Sequence, residues 1–334
     1  MKIMIVGGTG FLGYHSVLEA LKRGYKVNAL AIDDVELGDW YPKQVNVEFG
    51  DVFELSEGNL RKRFSGYDSM IYAVGPDDRI TPPAPAYEFF RIRLVDAVKK
   101  AAIAARKAGI KKMVVLNSYF AYFDRLWPEK KLSKQHPYIR CRVEQAERVM
   151  AEGKGQMEVI ILELPYIFGS MPQRIPLWKD VLLDRFARGK IIFFPKGGTN
   201  MIAVEHVAQA IIGALEHGEH GARYTVGDEN HSFNEMLEMM MSAMGSNKKI
   251  VNIPRFLAVI AGIIIDWDFR RKGLEGGLNV RFLMRDIMTD YLYYDAGHTV
   301  KKLGYDRGKI KESIVKTIKA CYPEKFKQKQ NRYK

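Results

Sequence analysis

The chain predicts a doubly wound α/β fold: a parallel sheet with helices on both faces, followed by a smaller C-terminal domain. Three observations carry this expectation. Short apolar runs alternate with amphipathic ones from residue 3 to residue 169. A glycine-rich turn joins the first run to the first helical stretch, and the alternation loosens after Gly169. At 334 residues and 47% apolar content, the chain can bury one large core or two modest ones.

Ile3, Ile5 and Val6 read as a buried strand, and Phe11, Leu12, Val17, Leu18 and Leu21 recur at helical period. Between them Gly7, Gly10 and Gly13 stand at GxxGxxG spacing, with Thr9 inside the turn. Gly7 permits a tight turn, Gly10 leaves the backbone open to a pyrophosphate, and Gly13 lets helix and strand approach. The helix N-terminus then aims N–H groups and a positive dipole end at the phosphates, so this stretch predicts dinucleotide binding.

A second strand over residues 26–32 ends in Asp33 and Asp34. An acid at that place holds the adenosine ribose and repels a 2′-phosphate, so NAD(H) is expected over NADP(H). Residues 45–49 form a third strand, followed by Gly50, Asp51 and Val52, and residues 69–74 a fourth, whose Ala73 and Val74 lead to Gly75. Residues 86–109 read as one long helix. Its Ala101, Ala102, Ala104 and Ala105 permit another helix to approach, in the core or across a dimer interface. A fifth strand, 112–116, delivers Asn117 and Ser118. Pro137 opens a helix on which Tyr138 and Arg142 share one face. A sixth strand, 158–164, runs into Pro165 and Ile167, and residues 222–226 predict a seventh. The methionines of a helix over 232–244 read as pliable core. The expected domains are residues 1–169 with 201–228 for the dinucleotide, 170–200 with 229–322 for the substrate, and a basic tail, 323–334.

Composition excludes several classes. Two cysteines, Cys141 and Cys321, make no disulfide scaffold and point to a reducing, cytoplasmic setting, and no secretory signal precedes the first strand. The longest apolar run, 256–265, is too short to span a bilayer. It suits a buried helix or a lipid-facing one, and is expected as a buried helix over the substrate pocket, with no stable membrane insertion. The net charge of +13 is scattered apart from the tail, and no aromatics interleave with the lysines, so no nucleic-acid partner is expected. His217, His220 and His231 gather at a glycine-rich helix end, and no metal site is assigned to them.

These motifs make the chain resemble the extended short-chain dehydrogenases/reductases, the NAD-dependent epimerase/dehydratase superfamily, over almost its full length. It looks nearest the dihydroflavonol-reductase and 3β-hydroxysteroid-dehydrogenase side. Residues 7–13 are similar to that family's cofactor fingerprint, Gly50 and Asp51 to the pair that approaches the adenine, and residues 165–169 to the segment beside the nicotinamide. The resemblance implies a Rossmann-type sheet. It also implies a dinucleotide site built from Gly7, Thr9, Gly10, Phe11, Leu12, Gly13, Asp33, Asp51, Val52, Ala73, Val74, Gly75, Pro165 and Ile167.

The chemistry it implies is hydride transfer to or from a secondary alcohol or ketone of a small or apolar substrate. Tyr138 would move the proton, Ser118 orient the substrate oxygen, and a cation four residues after the tyrosine acidify the phenol. The family's lysine is here Arg142, and an arginine standing simply for that lysine would let Arg142→Lys keep or raise activity. Its asparagine on the long helix is Leu94, and Asn200 stands near the arginine that nucleotide-sugar members use. Two alternatives stay open: an NAD-binding sensor or partner-binding protein with impaired turnover, and a nucleotide-sugar epimerase or dehydratase. A homodimer through the 86–109 and 138–152 helices is compatible with either.

Overall fold

The computed structural model describes residues 1–32, 36–186 and 189–326. Six strands follow in chain order with their helices: β1 (Lys2–Val6), β2 (Lys26–Ala31), β3 (Asn46–Phe49), β4 (Ser69–Tyr72), β5 (Lys112–Ser118) and β6 (Glu158–Leu164). After β7 (Tyr166–Phe168), β8 (Ile191–Pro195) and β9 (Gly198–Ala203), the short β10 (Arg223–Thr225) joins the same sheet. The seven strands are parallel in the order β10-β6-β5-β4-β1-β2-β3. The order reverses between β1 and β4, which opens a crevice at the carboxyl ends of those strands.

Alternation along β1 divides the core in two. Ile3 and Ile5 face α1 (Phe11–Lys22), while Met4 and Val6 face the side of α2 (Glu57–Phe64). The segment 86–109 is not the single α-helix expected. It is α3 (Ala86–Phe90), a π turn over Arg91–Asp96, and α4 (Ala97–Lys107). Leu94 in the π turn presses on Gly75, where an added Cβ would come within 2.6 Å of its Cδ2. The alanines of α4 let it lie beside α7 (Pro137–Gly153), which follows α5 (Tyr119–Leu126) and α6 (Leu132–Gln135). On the opposite face α8 (Val204–His217) packs against α1.

A second layer stands over the crevice. β9 pairs antiparallel with β11 (Glu229–Ser232) and parallel with β7 and β13 (Tyr291–Leu292). Thus β7 belongs to the small sheet although it lies inside a segment read as dinucleotide-binding, and β9 straddles the expected boundary at residues 200 and 201. α9 (Phe233–Ala243) begins with a Ser232–Glu235 capping box and buries Met236, Met240 and Met241 as core, as expected. β8 pairs with β12 (Lys249–Ile253), which leads into α10 (Arg255–Arg271).

The structure corrects the reading of the apolar run 256–265. α10 is not buried: of its residues only Ala258 and Gly262 are, while Phe256, Leu257, Ile260, Ile263, Ile264, Ile265 and Trp267 are exposed. Its packing face is small because it lies directly on α11 (Val280–Asp286), where a Cβ on Gly262 would meet the Val280 carbonyl at 2.8 Å. The helices α12 (Gly297–Leu303) and α13 (Ile310–Cys321) follow. Among the described residues no helix is long and apolar enough to cross a membrane. Residues 327–334 of the basic tail lie outside the described residues.

Candidate active site

The glycine turn explains its own composition. Gly7 has φ +87°, and a Cβ there would fall 2.7 Å from Val74 Cγ2 and 2.8 Å from the Ala73 carbonyl, so only glycine lets the turn after β1 pass the segment after β4. At Gly13 a Cβ would lie 2.0 Å from the Gly7 carbonyl. Gly10 differs: its nearest obstacle, again the Gly7 carbonyl, is 3.2 Å away. It caps α1 with no side chain over the first N–H groups, which leaves an open cradle. Thr9 is buried within the turn.

In front of this turn a cavity of about 900 Å³ opens over β1, β4, β5 and β6. It brings together Gly10, Phe11, Leu12, Ala73, Gly75, Pro165 and Ile167 from the expected cofactor set and all three expected catalytic residues, Ser118, Tyr138 and Arg142. Gly7, Thr9, Gly13 and Val74 are not on its wall; Gly7, Gly13 and Val74 pack behind it in the β1–β4 junction. Asp51 and Val52 sit past the end of β3, where the Asp51 carboxylate accepts a hydrogen bond from the Phe53 N–H (2.8 Å) and Val52 is buried. Asp33 lies outside the described residues.

Ser118 ends β5 and caps α5, its Oγ accepting from the Phe120 N–H at 3.3 Å. Beside it Asn117 donates to the Arg142 carbonyl (2.9 Å) and to Gln145 Oε1 (3.0 Å), tying β5 to α7. Tyr138 stands in the first turn of α7, its N–H donating to the Gly277 carbonyl (2.9 Å) and its ring edge-on to Phe90. The buried Arg142 donates from Nε to the Tyr138 hydroxyl at 2.9 Å, and from Nη1 to the Leu116 carbonyl (3.1 Å) and Gln145 Oε1 (2.9 Å). Burial pushes the Tyr138 phenol up to about 12; the Arg142 charge pulls it back, and Asp78 and Asp77 oppose that pull.

Sequence reasoning missed Asp77, Asp78 and Arg79, which follow β4 and enter the cavity wall. Arg79 grips Asp77 bidentately (2.6 and 2.8 Å) and lies over the Trp178 ring. Burial, joined by the neighbouring Asp77 charge, raises the Asp78 carboxyl to about 7 although Arg79 opposes it. Asp77 itself is held below its usual range, because Arg79 outweighs the effect of burial. The signal was available, since three charged residues in tandem directly after Gly75 and Pro76 stand at a strand's carboxyl end, where ligands of such sheets bind. Asn200 is elsewhere: buried, it donates to Asn230 and accepts from the Asp228 N–H. His220 accepts from the Val159 N–H and His231 faces Glu229, and no metal-binding group of His, Cys, Asp and Glu occurs among the described residues.

Residues 7–164 match the NAD(P)H-binding family. The chain is 23% identical over 282 residues to the mouse decarboxylating sterol-4-alpha-carboxylate 3-dehydrogenase, covering 79% of this chain and 74% of that protein. It is 25% identical over 241 residues to human UDP-glucose 4-epimerase, covering 64% of this chain and 63% of that one. The crystal structure of gox2253 superposes with a TM-score of 0.77 at 18% identity, covering 97% and 98% of the two chains. With its seven-stranded parallel sheet and the NAD(P)H-binding match over residues 7–164, the chain has a Rossmann-type fold and resembles the extended short-chain dehydrogenases/reductases, NAD(P)-dependent oxidoreductases and epimerases, along most of its length.

Proposed function

We propose that the chain is an NAD(H)-preferring oxidoreductase for a secondary alcohol or ketone on an apolar substrate. The observation that carries this reading is the 2.9 Å hydrogen bond from Arg142 to the Tyr138 hydroxyl inside the cavity in front of the glycine turn. The cradle at Gly10 fits a dinucleotide diphosphate, since a side chain there would fill it. Residues 7–13 would hold the phosphates, Ala73, Gly75, Pro165 and Ile167 the walls of the cofactor site with Val74 packed behind them, and Asp51 and Val52 its adenine end. The preference for NAD(H) rests on the acid Asp33, which follows β2 in the sequence and lies outside the described residues. When bound, the dinucleotide supplies the hydride carrier.

Tyr138 receives a hydrogen bond from Arg142, which leaves its own proton for a substrate oxygen. Burial raises the phenol to about 12 and outweighs the acidifying Arg142 that the resemblance implies, so Tyr138 is protonated at neutral pH and donates to a ketone oxygen as a weaker acid than a free phenol. In the reverse direction Arg142 keeps its charge beside the oxygen and lowers the cost of the phenolate. Ser118 accepts from the Phe120 N–H, and its hydroxyl proton remains to orient the same substrate oxygen. Tyr166, Trp178, Ile175 and Leu177 give the cavity apolar walls, and Arg79 a polar anchor. Asn200, spent on Asn230 and the Asp228 N–H, supports this substrate class over a nucleotide sugar.

In this reading residues 1–169 and 201–228 serve the dinucleotide, and 170–200 with 229–322 the substrate. Pairing of two copies through the 86–109 and 138–152 segments is part of it, supported by α4 and α7 lying side by side. The test is turnover of apolar ring alcohols and ketones with each cofactor, alongside calorimetric titration of NAD(H) and NADP(H). Tyr138→Phe should lower turnover by about two orders of magnitude while cofactor affinity holds. Unchanged turnover in that variant refutes the catalytic role, and tighter binding of NADP(H) refutes the aspartate argument.

A further inference from the structure

Seven of the nineteen large apolar side chains exposed among the described residues belong to α10. The helix is built inside out: Ala258 and Gly262, four apart, face the protein, while Phe256, Ile260, Ile263, Ile264 and Trp267 form a stripe toward solvent. We propose that α10 lies flat on an anionic membrane surface and anchors the protein there as a peripheral, non-spanning helix.

Its length and charge fit that occupant. Seventeen residues rise about 25 Å, short of a bilayer's hydrocarbon core but ample for a helix lying in the interface. Arg255 stands at one end of the stripe, and Arg270, Arg271 and Lys272 at the other, while exposed Arg281 on α11 lies against the middle of the helix at Gly262. The two carboxylates of the helix are neutralised locally, Asp266 by Arg270 (2.9 Å) and Asp268 by Lys272 (2.5 Å). An apolar stripe bounded by arginines, with an indole near one end, matches acyl chains beneath phosphate headgroups. A second copy fits less well, because two-fold antiparallel pairing of α10 sets Arg255 against the basic end of its mate.

Placement adds a consequence. The loop after α10 is stitched to the cavity wall: Ala84 N–H donates to the Gly273 carbonyl, Glu275 N–H to Pro82, and Gly277 N–H to Ile80. Ile80, Ile175 and Leu177 line the cavity and are themselves exposed. The surface that meets the membrane therefore adjoins the rim through which, on the reading of the preceding subsection, an apolar substrate enters.

The test is flotation of the full chain with phosphatidylcholine vesicles, with and without phosphatidylserine, in the absence of substrate. Wild type should float with the phosphatidylserine vesicles, and its tryptophan emission should shift to the blue, a shift lost in Trp267→Phe. Ile260→Asp with Ile264→Asp should cut partitioning at least about tenfold, and Arg255→Gln with Arg271→Gln should cut it in the anionic vesicles alone. Circular dichroism and NAD binding check that both variants fold. Failure of wild type to float with either vesicle overturns the proposal. So does equal flotation of a folded Ile260→Asp, Ile264→Asp variant. Self-association of wild type that this variant abolishes also overturns it, and assigns the stripe to a second copy. None of these readouts depends on Tyr138, so the anchor and the catalytic reading fail separately.

Discussion

Arg142 spreads three hydrogen bonds over Tyr138, the Leu116 carbonyl and Gln145, from two nitrogens of one rigid plane. A lysine ammonium is a single point on a flexible stem, and it cannot span acceptors placed for a fork. The geometry therefore reverses the expectation that Arg142→Lys would restore activity. That variant should leave the buried Leu116 carbonyl or Gln145 Oε1 unpaired, at a cost of about 1–3 kcal/mol, and loosen the hold on the Tyr138 oxygen. Thermal unfolding should show a lower midpoint and turnover should fall. Preserved midpoint and turnover together would mean the pocket adapts to the ammonium after all.

The strand–turn–helix unit of β1 and α1 separates two roles that its glycines share in sequence. Gly10 has φ −79° and ψ 168°, a conformation open to any side chain, and nothing closer than 3.2 Å awaits a Cβ. Gly10→Leu should thus fold normally and lose dinucleotide affinity by about tenfold or more, because its side chain fills the cradle. Gly13→Ala meets backbone at 2.0 Å, which no rotamer relieves. It should drive α1 off the sheet and destabilise the fold by about 2 kcal/mol or more. Paired denaturant melts and cofactor titrations distinguish the two, and similar melts for both variants would refute the division.

Stability of the whole molecule couples to pH through buried groups of opposite sense. Asp78, raised to about 7, holds a proton in the folded chain that the unfolded chain has released above pH ~3.9. Its contribution is full below that lower value and is lost as pH rises through about 7, at up to ~1.4 kcal/mol per pH unit. His136 runs the other way: burial holds its imidazole down to about 3, its Nδ1 accepting from the Asn279 N–H, so stability drops as pH falls below ~6.5. Asp78→Asn removes the first effect and leaves the second in both proteins. The variant should therefore gain in unfolding midpoint over wild type between about pH 5 and about pH 8, and a constant difference would refute the assignment.

What the sequence determined by itself was whatever local pattern can encode. Runs of apolar residues, the GxxGxxG turn and Pro137 specify strands, an open glycine turn and the start of α7, and with them the parallel sheet and the cavity mouth at its carboxyl ends. Ser118, Tyr138 and Arg142 were legible for the same reason, since a strand end and one helical turn place them. Tertiary structure alone decided which surface each pattern turns inward. The composition of α10 suits a buried helix, yet Ala258 and Gly262 are the side that lets it close on α11, so its bulk faces out. Likewise nothing local links residue 142 to the carbonyl of residue 116, or Arg79 to Trp178; those contacts exist only once the chain has folded distant segments onto one another.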